Sequence, residues 1–145
     1  MSAKQKLLDD EDRAWHEVAA RLNRLKDADW LVPGVVEDWT AKDLLAHLAV
    51  WHASTTDRLE SLRTTGALPP HPDVDAFNKT QFEMNRDLSL HEVQAMSGAS
   101  RHRFREEIDL LGDDPGDLLT QVITGNSTAH YSEHLPHLDG FLEVR

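Results

Sequence analysis

The fold is decided by residues 39–51, which read W-T-A-K-D-L-L-A-H-L-A-V-W. Apolar side chains recur there at intervals of three and four, so they share one face of an α-helix. These side chains are Leu44, Leu45, Leu48 and Trp51. Thr40 precedes this face and Asp43 follows three residues later, as in an N-terminal capping box. The sequence therefore predicts a long helix from Thr40 to about Thr65, which Gly66 ends.

Three more long helices are predicted from the same periodicity. They begin near Ser2, at Ser89 and at about Asp117, and the last runs to about Leu142. Ser2 with Gln5 and Ser89 with Glu92 fit capping boxes at the first two of these starts. A short helix around Val74–Asn85 falls in the proline-containing connection at 67–88. Pro136 should kink the last helix, because proline removes one intrahelical hydrogen bond. The fold class predicted is therefore all-α, a four-helix bundle in one domain over 1–145, with a short extra helix in the helix 2–3 connection.

Composition limits the possible partners. The 145 residues carry a formal net charge of −11 at pH 7 and include no cysteine. Such an acidic chain lacks the basic surface that nucleic-acid phosphates or an anionic membrane require. The absence of cysteine excludes disulfides, thiolate metal sites and a protein-borne thiol nucleophile. Because residues 1–12 are polar and no long apolar stretch follows, we expect a cytoplasmic protein with no nucleic-acid or membrane partner.

Three histidines are the main candidates for chemistry. His130 and His134 are four residues apart on the last predicted helix, so their side chains lie on one face and replace two inward apolar positions. His47 lies on the second helix, at the edge of its apolar face. Three imidazoles would leave open positions on a bound cation, which is typical of catalytic zinc. A hydrogen-bonded polar cavity without metal is the alternative explanation for two neighbouring inward histidines.

The positions of these histidines along their helices bear on topology. His47 lies seven residues after Thr40, and His134 lies eight residues before Leu142. These offsets correspond to roughly 10 and 12 Å along the helix axis. The two levels coincide when the second and fourth helices run antiparallel. If the three histidines form one site, the bundle is therefore up-down-down-up, which the long 67–88 connection permits.

Two other interpretations of these residues are weaker. Residues 130–134 spell H-x-x-E-H, a zinc protease motif, but only eleven residues follow His134 and cannot supply its distant third ligand. Aromatic and amide side chains could line a pocket beside the metal, although aromatics at helical spacing more often form plain core. The pocket candidates are Trp15, Trp51, Asn78, Asn126 and Tyr131, with Phe77 and Phe82. Asn78 has the alternative role of capping or turning the short helix.

The residues quoted above resemble a known family. Residues 39–51 are similar to the second-helix signature of the DinB/YfiT-like four-helix proteins. The segments D-A-F-N at 75–78, N-R at 85–86 and G-N-S-T-A-H-Y-S-E-H at 125–134 look like its ClbS/DfsB branch. The resemblance covers nearly the whole chain. It implies an up-down-down-up bundle, often dimeric, with a divalent metal held by His47, His130 and His134.

The resemblance also implies a range of activities. Among them are S-transfer or isomerisation with bacillithiol, mycothiol or glutathione, hydrolysis by metal-activated water, and self-protection against a genotoxin. Imidazole ligands favour zinc or nickel. We expect a metal-dependent hydrolase that acts on a small electrophilic or toxic compound through metal-activated water, and a thiol-dependent S-transferase is the first alternative. A non-catalytic protein that sequesters the toxin is the third alternative, and a homodimer is expected in each case.

Overall fold

A computed structural model describes all residues 1–145, and the chain is all-α with no strand. The α-helices are α1 (Ala3–Leu22), α2 (Ala41–Thr65), α3 (Val74–Asn85), α4 (Leu90–Asp109), α5 (Asp117–Gly125) and α6 (Thr128–Glu143). A 3-10 helix spans Asp27–Leu31. The predicted all-α helical bundle class is confirmed, including the short helix in the 67–88 connection. None of the helices combines the length and apolar character that a membrane span requires.

The chain divides into two compact units. The first contains residues 1–41 and 108–145, and the second contains residues 42–107. The first unit therefore holds α1, α5 and α6, whereas the second holds α3 and nearly all of α2 and α4.

In the first unit, α1 packs against α6. Val18 on α1 and Leu138 on α6 are fully buried. An ion pair ties the same two helices, because Arg21 Nε donates to an Asp139 oxygen at 2.7 Å. At the other end of α1, Lys4 Nζ donates to the carbonyl oxygen of Asp109 at 2.8 Å. The position of α1 along α6 is therefore set by the buried apolar side chains and by the ion pair between Arg21 and Asp139.

In the second unit, α2 supplies the buried centre. Leu59 and Val93 are buried, and the ring of His52 stacks on Phe104 with centroids 5.0 Å apart. His52 is therefore a core histidine rather than a surface one. Lys42 Nζ donates to the carbonyl oxygens that follow α3, including that of Leu88 at 2.6 Å. The Lys42 contacts fix the segment after α3 against the start of α2.

Two of the predicted helix starts can be compared with the structure. At α4, Glu92 N donates to Ser89 Oγ and Ser89 N donates to Glu92 Oε1, both at 3.1 Å. This reciprocal capping box is confirmed. At α1, Gln5 N donates to Ser2 Oγ at 3.0 Å, but the Gln5 amide donates to Asp9 instead. The α1 cap is therefore correct, whereas its capping box is wrong, because a longer-range carboxylate competes for the amide.

Replacing Ser89 by alanine should lower the free energy of unfolding by about 1 kcal/mol, because the Glu92 amide loses its side-chain acceptor. Urea unfolding followed by circular dichroism measures this difference. Ser89→Asp, which keeps an acceptor at the cap, should unfold like the wild type. Equal stability of the alanine variant would contradict the cap assignment.

The last helix differs from the prediction. The sequence predicts one helix from Asp117 to Leu142, but α5 ends at Gly125 and α6 begins at Thr128. Gly, Asn and Ser follow one another at 125–127, and all three are weak helix formers. Asn126 Nδ2 donates to the carbonyl of Val122, and Ser127 Oγ donates to that of Ile123. These side chains satisfy the last carbonyls of α5, so the break falls there; Pro136 lies inside α6.

Candidate metal centre

The histidine pair lies near the start of α6. The carbonyl of Ser127 accepts from Tyr131 N at 2.8 Å, which closes the first turn of α6 around His130. Four residues later, His134 Nε2 lies 3.2 Å from His130 Nε2, and the ring centroids are 4.9 Å apart. Two nitrogen lone pairs facing each other at this distance repel. A proton or a cation shared by the two rings removes that repulsion.

The separation of the two nitrogens suits a cation. Zinc binds imidazole nitrogen at about 2.0–2.1 Å, and tetrahedral geometry then places two ligand nitrogens about 3.3 Å apart. The observed 3.2 Å between His130 Nε2 and His134 Nε2 is close to that value. The donor set therefore fits a divalent metal of this size.

His47, the third predicted ligand, lies on α2 and is half-buried. One ring nitrogen from each of His47, His130 and His134 lies within 4.8 Å of the others. The structure thus brings together the three histidines that the sequence singles out. This three-histidine cluster could bind a metal ion.

His137 contacts this cluster through His134, and it is not among the predicted ligands. It lies three residues after His134, and the Nδ1 atoms of the two rings are 3.1 Å apart. When His134 carries its proton on Nδ1 and donates it to His137, the Nε2 lone pair of His134 faces His130. Histidines that bind metals commonly donate their second ring N–H in this way. The sequence feature that could have identified His137 is its spacing of three residues from His134 on the same helix.

The surroundings of His134 favour its neutral form. Its side chain is only 5% exposed. Burial lowers the pKa of His134, the nearby Glu133 carboxylate opposes this shift, and His137 adds to it. Because metal binding requires an unprotonated imidazole, this environment keeps the ligand nitrogen available at neutral pH.

A buried carboxylate near the start of the chain was missed by the sequence analysis. Glu11 on α1 is fully buried and accepts a hydrogen bond from Tyr131 OH at 2.9 Å. Trp15 packs edge-on against the Tyr131 ring, with centroids 5.3 Å apart. Glu11 lies in the acidic run of residues 9–12, which is typical of a solvated face. Glu11 nevertheless lies between Leu8 and Trp15 on the apolar face of α1, and this position could have indicated that it is buried.

The predicted pocket residues fall into local groups. Trp51 Nε1 donates to Asn78 Oδ1 at 2.8 Å, and Phe77 packs on the same indole with centroids 4.4 Å apart. Asn78 lies inside α3, whose N-cap is Asp73, so the alternative of a capping or turning role is wrong. Asn126 contributes to the end of α5, as described above. A common ligand pocket for Trp15, Trp51, Asn78, Asn126 and Tyr131 stays a prediction.

Comparisons with known proteins agree with this fold. The family model described as "Mycothiol maleylpyruvate isomerase N-terminal domain" matches residues 12–135. A crystal structure of an uncharacterised protein from Escherichia coli UTI89 is similar at a TM-score of 0.80 and 16% identity. That alignment covers 99% of this chain and 94% of the other, and at this identity it shows the fold alone. No curated protein matches the sequence significantly.

Proposed function

Because the chain belongs to the mycothiol maleylpyruvate isomerase N-terminal domain family, a DinB-like helical domain, we propose that it is a metal-dependent enzyme with a thiol cosubstrate. The proposed ligands are His47, His130 and His134, and the proposed metal is zinc or nickel. The observation that carries this proposal is the 3.2 Å approach of His130 Nε2 and His134 Nε2. That approach matches the separation expected of two nitrogens on one cation.

Each residue around the cluster has a distinct role in this proposal. His134 binds through Nε2, and His137 holds its Nδ1 proton, which fixes the ring orientation and tautomer. Glu11 and Tyr131 hold α1 against α6 one residue away from His130. A divalent cation held by the three histidines would act as a Lewis acid that lowers the pKa of an incoming thiol or water.

The family comparison favours a thiol over water as the nucleophile. The name of the matching family includes mycothiol, a low-molecular-weight thiol. The chain has no cysteine, so any thiol must come as a separate molecule. Hydrolysis is the expectation from sequence alone, and no comparison supports it specifically. We therefore place thiol-dependent transfer or isomerisation first, and keep hydrolysis and toxin sequestration of the ClbS/DfsB kind as outcomes of the test.

Turnover should depend on thiol and metal together. The metal-loaded protein is incubated with maleylpyruvate and with an epoxide, with and without mycothiol, and products are followed by mass spectrometry. We expect turnover that rises with mycothiol concentration and is absent from the metal-free protein. His102→Ala, which changes an exposed histidine paired with Glu106, is the matched control and should be fully active.

The other outcomes separate the alternatives. Turnover that needs metal but is independent of mycothiol, bacillithiol and glutathione would contradict the thiol proposal and support hydrolysis. Binding of an electrophilic toxin without any turnover would support sequestration instead.

We further propose that the chain forms a homodimer. No residue of α3 is buried, and Val74 and Met84 on it are 49% and 67% exposed. Sedimentation velocity at micromolar concentration should report about twice the 16.4 kDa chain mass. Met84→Glu should shift the boundary towards the monomer, whereas His91→Glu, an exposed change on α4, should not. A wild-type monomer throughout this range would rule the dimer out.

A further inference from the structure

A buried arginine in the second unit has no carboxylate partner. Arg58 on α2 is only 9% exposed, and its Nε donates to the carbonyl oxygen of Pro69 at 3.0 Å. No acidic side chain forms an ion pair with it. Burial lowers the pKa of Arg58, and no neighbouring carboxylate raises it again. The guanidinium charge of Arg58 therefore has no counterion within the protein.

Arg58 lines an open cleft of about 430 Å³. Much of the wall is apolar and consists of Val50, Ala53, Pro69, Pro70, Pro72 and Phe77. The polar contributions are few, and they include Ser54, Asp57 and Gln81. Apolar walls with one or two placed polar groups are typical of small-molecule sites, and this volume is within their usual range.

The hydrogen bond to Pro69 determines what Arg58 can still bind. It uses the Nε–H and fixes the guanidinium on the short segment between α2 and α3. The terminal Nη1 and Nη2 groups have no protein acceptor. A guanidinium whose two terminal nitrogens are available binds a planar carboxylate through two parallel hydrogen bonds.

The other charge in the cleft limits the charge of the ligand. Asp57 is exposed and lines the same cleft as Arg58. Its carboxylate repels a second negative charge, which disfavours a phosphate dianion. The surrounding prolines and Phe77 offer contact to an apolar group.

We propose that this cleft is a binding site for a small monocarboxylate with an apolar body. The carboxylate binds Arg58, and the apolar body packs against Phe77 and the proline segment. The site lies wholly in residues 50–81 and uses none of the histidines of the metal centre. It is therefore independent of the proposed thiol chemistry.

The test compares phenylacetate with its neutral analogue phenylacetamide, using amide chemical shifts of the full chain. Wild type should bind phenylacetate saturably, with Kd on the order of 1 mM, and the largest shifts should be at Ser54 and Gln81. Phenylacetamide and inorganic phosphate should bind at least about 10-fold more weakly, because each lacks the match to Arg58. The shifts should be the same with and without EDTA.

Two variants assign the interaction to Arg58. Arg58→Met keeps the length of the side chain and should weaken phenylacetate binding about 10- to 100-fold. Arg58→Lys keeps the charge without the planar fork, and should also weaken it; this variant carries the test should Arg58→Met fail to fold. Arg103→Met is the control, because Arg103 is an exposed residue on α4 that pairs with Glu60 outside the cleft.

Several results would overturn the proposal. These are equal binding of phenylacetate and phenylacetamide, tighter binding of phosphate than of phenylacetate, wild-type affinity in both Arg58 variants, or no saturable binding to the wild type. Loss of binding on metal removal would show that the ligand occupies the histidine cluster instead.

Discussion

Alanine in place of His134 is expected to weaken the binding of a divalent cation by about 100-fold or more. The binding free energy of structural zinc, about 10–16 kcal/mol, is shared by four ligands, so one ligand accounts for about 3 kcal/mol. His134 lies 3.2 Å from His130 at the proposed site, so the remaining imidazoles should hold the metal weakly. Competition titration against a chromophoric chelator measures this affinity.

The same titration separates direct ligands from a positioning residue. His137→Ala removes the partner of His134 Nδ1 and should weaken binding about 10- to 100-fold. His102→Ala should leave the affinity unchanged, because this side chain is 76% exposed and pairs with Glu106. Wild-type affinity in His134→Ala would contradict the assignment of that residue as a ligand.

Removing the hydroxyl of Tyr131 should lower the free energy of unfolding by about 2 kcal/mol. Its OH donates to Glu11 at 2.9 Å, and both side chains are fully buried. A buried hydrogen bond contributes about 0.5–1.5 kcal/mol, and a buried polar group that loses a partner costs about 1–3 kcal/mol. Urea unfolding of Tyr131→Phe tests this value.

A double variant shows whether the effect comes from the lost contact between Tyr131 and Glu11. Tyr131→Phe combined with Glu11→Met replaces both polar partners by apolar ones of similar shape. The double variant should be more stable than Tyr131→Phe with Glu11 intact. If the free energy of unfolding of Tyr131→Phe is within about 0.5 kcal/mol of the wild type, the hydrogen bond does not contribute to stability.

Local sequence patterns predict most of the helices. The α2 stretch combines periodic leucines with a terminal Gly66 at φ +80°, and its bounds agree with the prediction. The break between α5 and α6 was missed because the apolar periodicity runs through it. Its cause is also local, since Asn126 and Ser127 bond to carbonyls one turn earlier. Attention to three consecutive weak helix formers would have revealed it.

The candidate site shows which features local sequence patterns can predict and which depend on long-range packing. His130 and His134 follow from helical spacing alone, and the inclusion of His47 required a topological argument and a family resemblance. Glu11 was missed because its burial depends on Tyr131, 120 residues later in the chain. Arg58 was missed for a similar reason, since its burial depends on the cleft that the proline segment forms. Long-range packing of this kind leaves little trace in the surrounding sequence.

The metal centre is the central claim, and elemental analysis of the wild-type protein tests it most directly. The protein is purified without an affinity tag or chelator, and its metals are quantified by mass spectrometry against protein concentration. The account predicts close to one zinc or nickel atom per chain, and almost none in the variant with alanine at His47, His130 and His134. A metal-free wild type that also takes up no divalent metal from a buffered solution would contradict it.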